Sequence, residues 1–177
     1  MRRKLEYLAL ALVAAIGAVG LWGFSIPAAH TAASQITLAA PPESVYQVVR
    51  DLKSLPAWWP EVTSITPVDR NDGWERWKET AHGMGMTIIV REETPNEGLV
   101  TTIDTVDHPP FSGTWTYALK LAPGGGTSLT IREVGTVANP YFRVMTRLTG
   151  THSTIDSYLT ALGRHFGHDV TPTHVVP

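Results

Sequence analysis

Three patterns of apolar and polar positions follow one another along this chain. Positions 8–24 are almost wholly Ala, Leu, Val, Ile and Gly, and no acidic or basic side chain occurs between positions 7 and 29. The middle of the chain alternates apolar and polar residues in short segments separated by Pro, Gly, Asn and Asp, the period of strands with one buried face. Toward the carboxyl end Phe142, Met145, Leu148, His152, Ile155, Leu159, Leu162 and Phe166 recur at steps of three and four. That spacing predicts one helix with a single apolar stripe. Asn139 suits its cap, Pro140 its first turn and Gly167 its end. At 1.5 Å per residue the helix is roughly 40 Å long, enough to cross the concave face of a curved sheet.

The alternating segments give the rest. Positions 31–38 read as a strand that stops at Pro41-Pro42, and 43–51 as a short helix with Val45, Val48 and Val49 on one side. The proline-fenced stretch 55–60, which carries Trp58 and Trp59, reads as a second helical turn. Six strands follow, at 62–68, 74–80, 86–93, 99–105, 113–122 and 127–137. Asn71-Asp72-Gly73 and Pro123-Gly124-Gly125-Gly126 are the clearest turns between them. Strands joined by tight turns are antiparallel neighbours. The predicted class is therefore α+β, a strongly bent antiparallel sheet with the long helix on one face.

Composition narrows the function classes. A chain of 177 residues holds one domain with a proper core, and a formal charge of −2 gives no general attraction to nucleic acid. Cysteine is absent, which excludes disulfides, thiolate metal sites and cysteine nucleophiles. The apolar run changes the picture more. About twenty such residues span a bilayer. A cleaved signal shares the basic start at Arg2, Arg3 and Lys4, and Ala28, Ala29, Ala32 and Ala33 would admit a cleavage site. The run is longer than a usual signal core of about 7–15 residues, and the first strand begins almost at its end. A retained anchor over 1–29 is the expectation, with the following domain (30–168) outside the cytoplasm, because the basic residues precede the span. About six residues link span and domain, so at most about 20 Å separates them. Positions 169–177 form a tail.

The stretches ITLAAPPESVYQVVRDLKSLPAWWPEV, TSLTIREVGTVANPYFRVM and STIDSYLTALGRHFG, in this order of elements, resemble the START-like superfamily, also called SRPBCC, of polyketide cyclases, lipid-transfer domains and Bet v 1-type proteins. The resemblance covers residues 30 to 166. It implies a helix-grip fold whose cavity takes lipids, sterols, polyketides or other apolar molecules. It implies no catalytic residue, because the superfamily has no shared catalytic set.

Strand alternation nominates a lining. Trp115, Tyr117, Leu119 and Leu121 share a face, as do Leu129, Ile131 and Glu133, and Trp77 lies between Glu75 and Glu79. With Met86, His152 and Leu159 these give the cavity candidates Trp77, Met86, Trp115, Tyr117, Leu119, Ile131, Glu133, His152 and Leu159. Trp58 and Trp59 fall at the rim, where they pack under the long helix or gate entry. Glu133 on an apolar face needs a partner, and Arg143, ten residues on, is the expected one. START-like sequences share this arrangement of Glu133, Asn139, Pro140 and Arg143. His165 and His168 stand three apart but suit a helix carboxyl end. HExxH, a phosphate loop and a G-x-S-x-G elbow are all missing, so no metal or cofactor is expected. The expected function is a membrane-anchored, non-catalytic domain that binds a small hydrophobic molecule. An enzyme of the same fold, using Glu133, Glu79, His82 or Tyr117, and a structural partner in an envelope complex are the alternatives. The sequence writes no oligomeric state.

Overall fold

The computed structural model describes residues 2–106 and 109–177; the loop histidine His108, with Asp107 and Met1, lies outside the described residues. The apolar run forms helix α1 (Arg2–Ser25). Strand β1 (Ala29–Leu38) ends before Pro41, and helix α2 (Pro42–Arg50) buries Val45, Tyr46 and Val49. A turn of 3-10 helix at Leu52–Ser54 leads into the short helix α3 (Leu55–Trp58). The meander follows as β2 (Val62–Pro67), β3 (Arg76–Ala81), β4 (Met84–Thr94), β5 (Gly98–Ile103), β6 (Phe111–Leu121) and β7 (Thr127–Val137). Every adjacent pair is antiparallel, and β1 closes against β7 along its whole length, Ala29 opposite Thr136 through Leu38 opposite Thr127. A two-residue strand β8 (Thr173–His174), in what was expected to be a plain tail, covers the free edge of β1. Together they make one eight-stranded sheet in the order β2-β3-β4-β5-β6-β7-β1-β8.

The expected 40 Å helix is two helices. Helix α4 (Pro140–Thr149) stops at Gly150, whose φ of 93° and ψ of 147° lie in a region open almost only to glycine, and α5 (Ser153–His165) starts afresh. The Asn139 cap is as predicted, its Oδ1 accepting from the Tyr141 amide at 2.9 Å. The stripe, however, is buried only along α5, where Ile155, Leu159 and Leu162 are fully enclosed. Met145 and Leu148 of α4 are exposed instead, at 57% and 72%.

The redirected α4 packs on α1. The Pro140 carbonyl lies only 2.1 Å from where a side chain on Gly23 would begin, and Tyr141 Oη 2.9 Å from the same point on Gly20. Only glycines allow this approach. The core itself lies between the concave face of the sheet and α2, α3 and α5, with Ile36, Leu38, Leu119, Leu129 and Ile131 from the strands.

Candidate functional site on the concave face

Pairing register decides which side chains share the inner face. Trp77, Glu79 and Ala81 of β3 lie opposite Ile88, Met86 and Met84 of β4; farther along come Leu99 and Thr101, then Tyr117 and Trp115, then Ile131 and Glu133, and finally Ser34 and Ala32 of β1. Helix α5 lowers Tyr158 onto the middle of this face. Its ring meets Trp58, Trp59, Trp115 and Tyr117 edge-on, with centroids 5.1, 5.1, 5.7 and 5.8 Å away. Such T-shaped pairs are worth about 0.5–1.5 kcal/mol each beyond area burial, so the centre is a packed aromatic layer.

Two polar groups in this setting are poorly satisfied among the described residues, although the Tyr117 hydroxyl is a neighbour of the first. The Tyr158 hydroxyl is fully buried without a hydrogen bond of normal geometry. Glu79, only 3% exposed, has neither hydrogen bond nor ion pair, and desolvation by burial raises its pKa from 4.5 to about 7. Burial likewise pushes the Tyr117 and Tyr158 hydroxyls well above their usual range, so both are neutral donors at physiological pH. The carboxyl and the two hydroxyls are thus enclosed within an apolar wall.

The nominated residues separate accordingly. Tyr117, Leu119, Ile131 and Leu159 are buried together in the core, whereas Trp77, Met86 and Trp115 share the inner face but are half-buried. Leu121, expected on that face, is exposed at the end of the strand. His152 is not in the lining. It stands at the start of α5 and stacks on His174 at 3.8 Å, beside Asp156, whose Oδ1 accepts from Ser34 Oγ at 2.6 Å and whose Oδ2 lies 2.9 Å from His174 Nε2. Glu133 does not meet Arg143. Pairing of β1 with β7 brings His30 to it instead, Nε2 to Oε1 3.6 Å, and the carboxylate raises the imidazole pKa against the opposing effect of burial. Arg143 turns away to the backbone, donating to the carbonyls of Val137, Ala138 and Ile26 at 2.8, 3.1 and 3.4 Å.

Trp58 and Trp59 are buried under α5, the packing role expected of them. Trp59 Nε1 donates to Ser157 Oγ at 3.2 Å, Ser157 donates to Glu61, and His82 Nε2 lies 3.2 Å from the other Glu61 oxygen. The glutamate stands between serine and histidine, so the imidazole does not reach the hydroxyl, and the chain of contacts ties α5 to the residue before β2. His165 lies against Trp58, ring centroids 6.0 Å apart, and among the described residues no three His, Asp or Glu could jointly hold a metal. Tyr158 is the residue that sequence reasoning missed. Its position three after Ile155 and four before Leu162 put it beside the stripe already drawn.

The face is covered unevenly. Leu119, Leu129, Ile131 and Ile36 are sealed beneath α5. At the end from which α4 departs, His30, Glu133, Trp115, Ile103, Ile88 and Met86 are only half-buried. Two surface grooves lie apart from the Tyr158–Glu79 region. One, of about 520 Å³, runs between Gln35–Thr37 and the tail, and the other, of about 330 Å³, is bordered by Trp74 and Trp77.

This architecture is that of a helix-grip domain. The chain belongs to the polyketide cyclase / dehydrase and lipid transport family, whose profile matches residues 29–165. Comparison with curated proteins gives no match. Among solved structures it is similar to the Zhui aromatase/cyclase from Streptomyces sp. R1128, at 15% identity and a TM-score of 0.63, covering 78% of this chain and 94% of that one. A START superfamily protein from Mycobacterium smegmatis is similar at 18% identity and a TM-score of 0.59, covering 78% and 97%. The di-domain aromatase/cyclase BexL from the BE-7585A biosynthetic pathway is similar at 14% identity and a TM-score of 0.61, covering 95% of this chain but only 59% of that one. The chain thus spans less than two thirds of that di-domain protein. These likenesses concern the fold.

Proposed function

We propose that the domain holds a small, largely apolar molecule carrying a hydrogen-bonding group, without catalysing a reaction, and that α1 anchors it in a membrane with the domain on the extracytoplasmic side. The ligand reading rests on one observation: on an apolar inner face the buried Tyr158 hydroxyl makes no hydrogen bond of normal geometry, and the buried Glu79 makes neither hydrogen bond nor ion pair. An unpartnered buried polar group costs about 1–3 kcal/mol, and a guest hydroxyl or carbonyl that met these groups would recover part of it. Trp77, Met86, Ile88 and Trp115, half-buried where α4 has left the sheet, form the entrance; Leu119, Ile131 and Leu159 form the floor. A family described by lipid transport and polyketide cyclisation agrees with an apolar guest. The anchor reading rests on α1, an apolar helix of 24 residues whose side chains are mostly exposed.

A catalytic reading has one observation in its favour. A carboxyl that titrates at about 7 can give or take a proton at neutral pH. The absence of a partner for it among the described residues leaves binding as the better reading.

Native mass spectrometry of the full chain, extracted in mild detergent, tests the proposal. A retained lipid-like or polyketide-like mass is expected, lost in Tyr158→Phe and reduced in Glu79→Gln while both variants keep their fold. An empty wild type, or variants that retain the molecule equally well, would overturn it. Amino-terminal sequencing that began near Ala33 would remove the anchor.

A further inference from the structure

Helix α4 leaves an apolar ridge uncovered. Tyr141, Met145 and Leu148 recur at steps of four and three, which stacks them on one side of the helix, and they are 45%, 57% and 72% exposed. The charged residues of α4 are Arg143 and Arg147, with no acid. Arg143 is engaged with backbone carbonyls at the start of the helix, and Arg147 is exposed on the flank of the ridge.

The position of this ridge along α1 is informative. The helix is held against Gly20 and Gly23; Gly20 lies five residues from the end of α1 at Ser25, or about 7.5 Å along the axis at 1.5 Å per residue. Exposed Leu21, Trp22 and Phe24 surround the same turns. Interfacial helices bury their apolar side roughly 5–10 Å into the headgroup and acyl boundary, with basic residues toward anionic lipid. Depth, chemistry and charge agree.

We propose that α4 is an in-plane membrane helix, its Tyr141–Met145–Leu148 ridge seated in the leaflet that α1 leaves and Arg147 at the level of anionic phospholipid headgroups. This rests on the reading of α1 as a membrane span. The break at Gly150 is what frees the ridge: it takes α4 off the sheet, opens the half-buried end of the inner face, and lays the apolar residues beside α1. The entrance to the proposed ligand site then lies next to lipid.

The chain has no native cysteine, so single-cysteine variants can be labelled cleanly. Leu12→Cys, Leu148→Cys and Lys120→Cys of the full chain, each carrying an environment-sensitive fluorophore, would be placed in vesicles of phosphatidylcholine and phosphatidylglycerol with spin labels at shallow or deep acyl positions. All three positions are exposed, so folding is preserved. The expected result is deep quenching at Leu12, shallow quenching at Leu148 and none at Lys120. Deep quenching at Leu12 with Leu148 unquenched overturns the in-plane helix and leaves the anchor standing. An unquenched Leu12 overturns both. A blue-shifted Leu148 probe that lipid labels do not quench means that protein, such as a second copy, covers the ridge, and this too overturns the proposal.

Discussion

Replacing Glu79 by glutamine removes the charge but keeps the shape, so it isolates the cost of ionising a carboxyl on the inner face. That carboxyl titrates at about 7 in the folded chain against an ordinary 4.5, because of burial. At 1.36 kcal/mol per pH unit the difference is worth about 3 kcal/mol. Below pH 4.5 the acid is neutral in folded and unfolded chains alike and no penalty arises. Between 4.5 and 7 the unfolded chain releases a proton that the folded chain keeps, so stability falls as pH rises. Above 7 both forms are ionised and the full penalty applies. Urea unfolding of ligand-stripped wild type and Glu79→Gln, followed by tryptophan fluorescence in the same detergent, reads the difference directly. Glu79→Gln should be more stable by about 1 kcal/mol at pH 5 and by about 3 kcal/mol at pH 8. A difference that does not change with pH, or a glutamine variant less stable at pH 8, would refute the reasoning, since either would mean that the carboxylate finds a partner.

The same unfolding assay checks three other expectations. Leu159→Ala should cost about 2–5 kcal/mol because the residue is wholly enclosed, and Leu162→Ala should behave alike, while the exposed Arg164→Ala should be near neutral. Gly150→Ala should cost about 1–3 kcal/mol, since alanine tolerates that backbone poorly; an unchanged midpoint would mean that the two helices join. His30→Asn should destabilise more at pH 5.5 than at pH 8. A raised imidazole pKa gives stability that is present below the unfolded value near 6.5 and lost as pH climbs through the folded one, so equal losses at both pH values would discount the Glu133 pair.

Local signals predicted most of this fold well. Turn residues placed every strand of the meander, and Asn139-Pro140 marked the start of α4. The helix break went unread because the three-and-four spacing keeps its phase from Met145 through Leu148 and His152 to Ile155. Gly150, flanked by Thr149 and Thr151, was the available sign, but the surface that receives α4, at Gly20 and Gly23, lies more than a hundred positions earlier. Partners failed for the same reason. Arg143 was ten residues from Glu133 in the chain, whereas His30 reaches it only through the pairing of β1 with β7. Glu79 was visible as an acid sharing a strand face with Trp77 and Glu75. Its lack of any partner is a property of the folded surroundings that no alternation pattern encodes.

The connection between α1 and the domain is very short. Helix α1 ends at Ser25 and β1 begins at Ala29, leaving Ile26, Pro27 and Ala28. The Ile26 carbonyl accepts from Arg143, at 3.4 Å, and the Ala28 carbonyl accepts from the Val137 amide at 2.9 Å. Such a joint is a bracket and not a leash. With α1 in a bilayer, the domain cannot swing out to meet a distant membrane or a partner beyond its own breadth. On that reading the proposed entrance stays beside one leaflet, within reach of a guest that diffuses in it. The domain would therefore serve as a fixed station for hand-over, and travel across an aqueous gap would fall to something else.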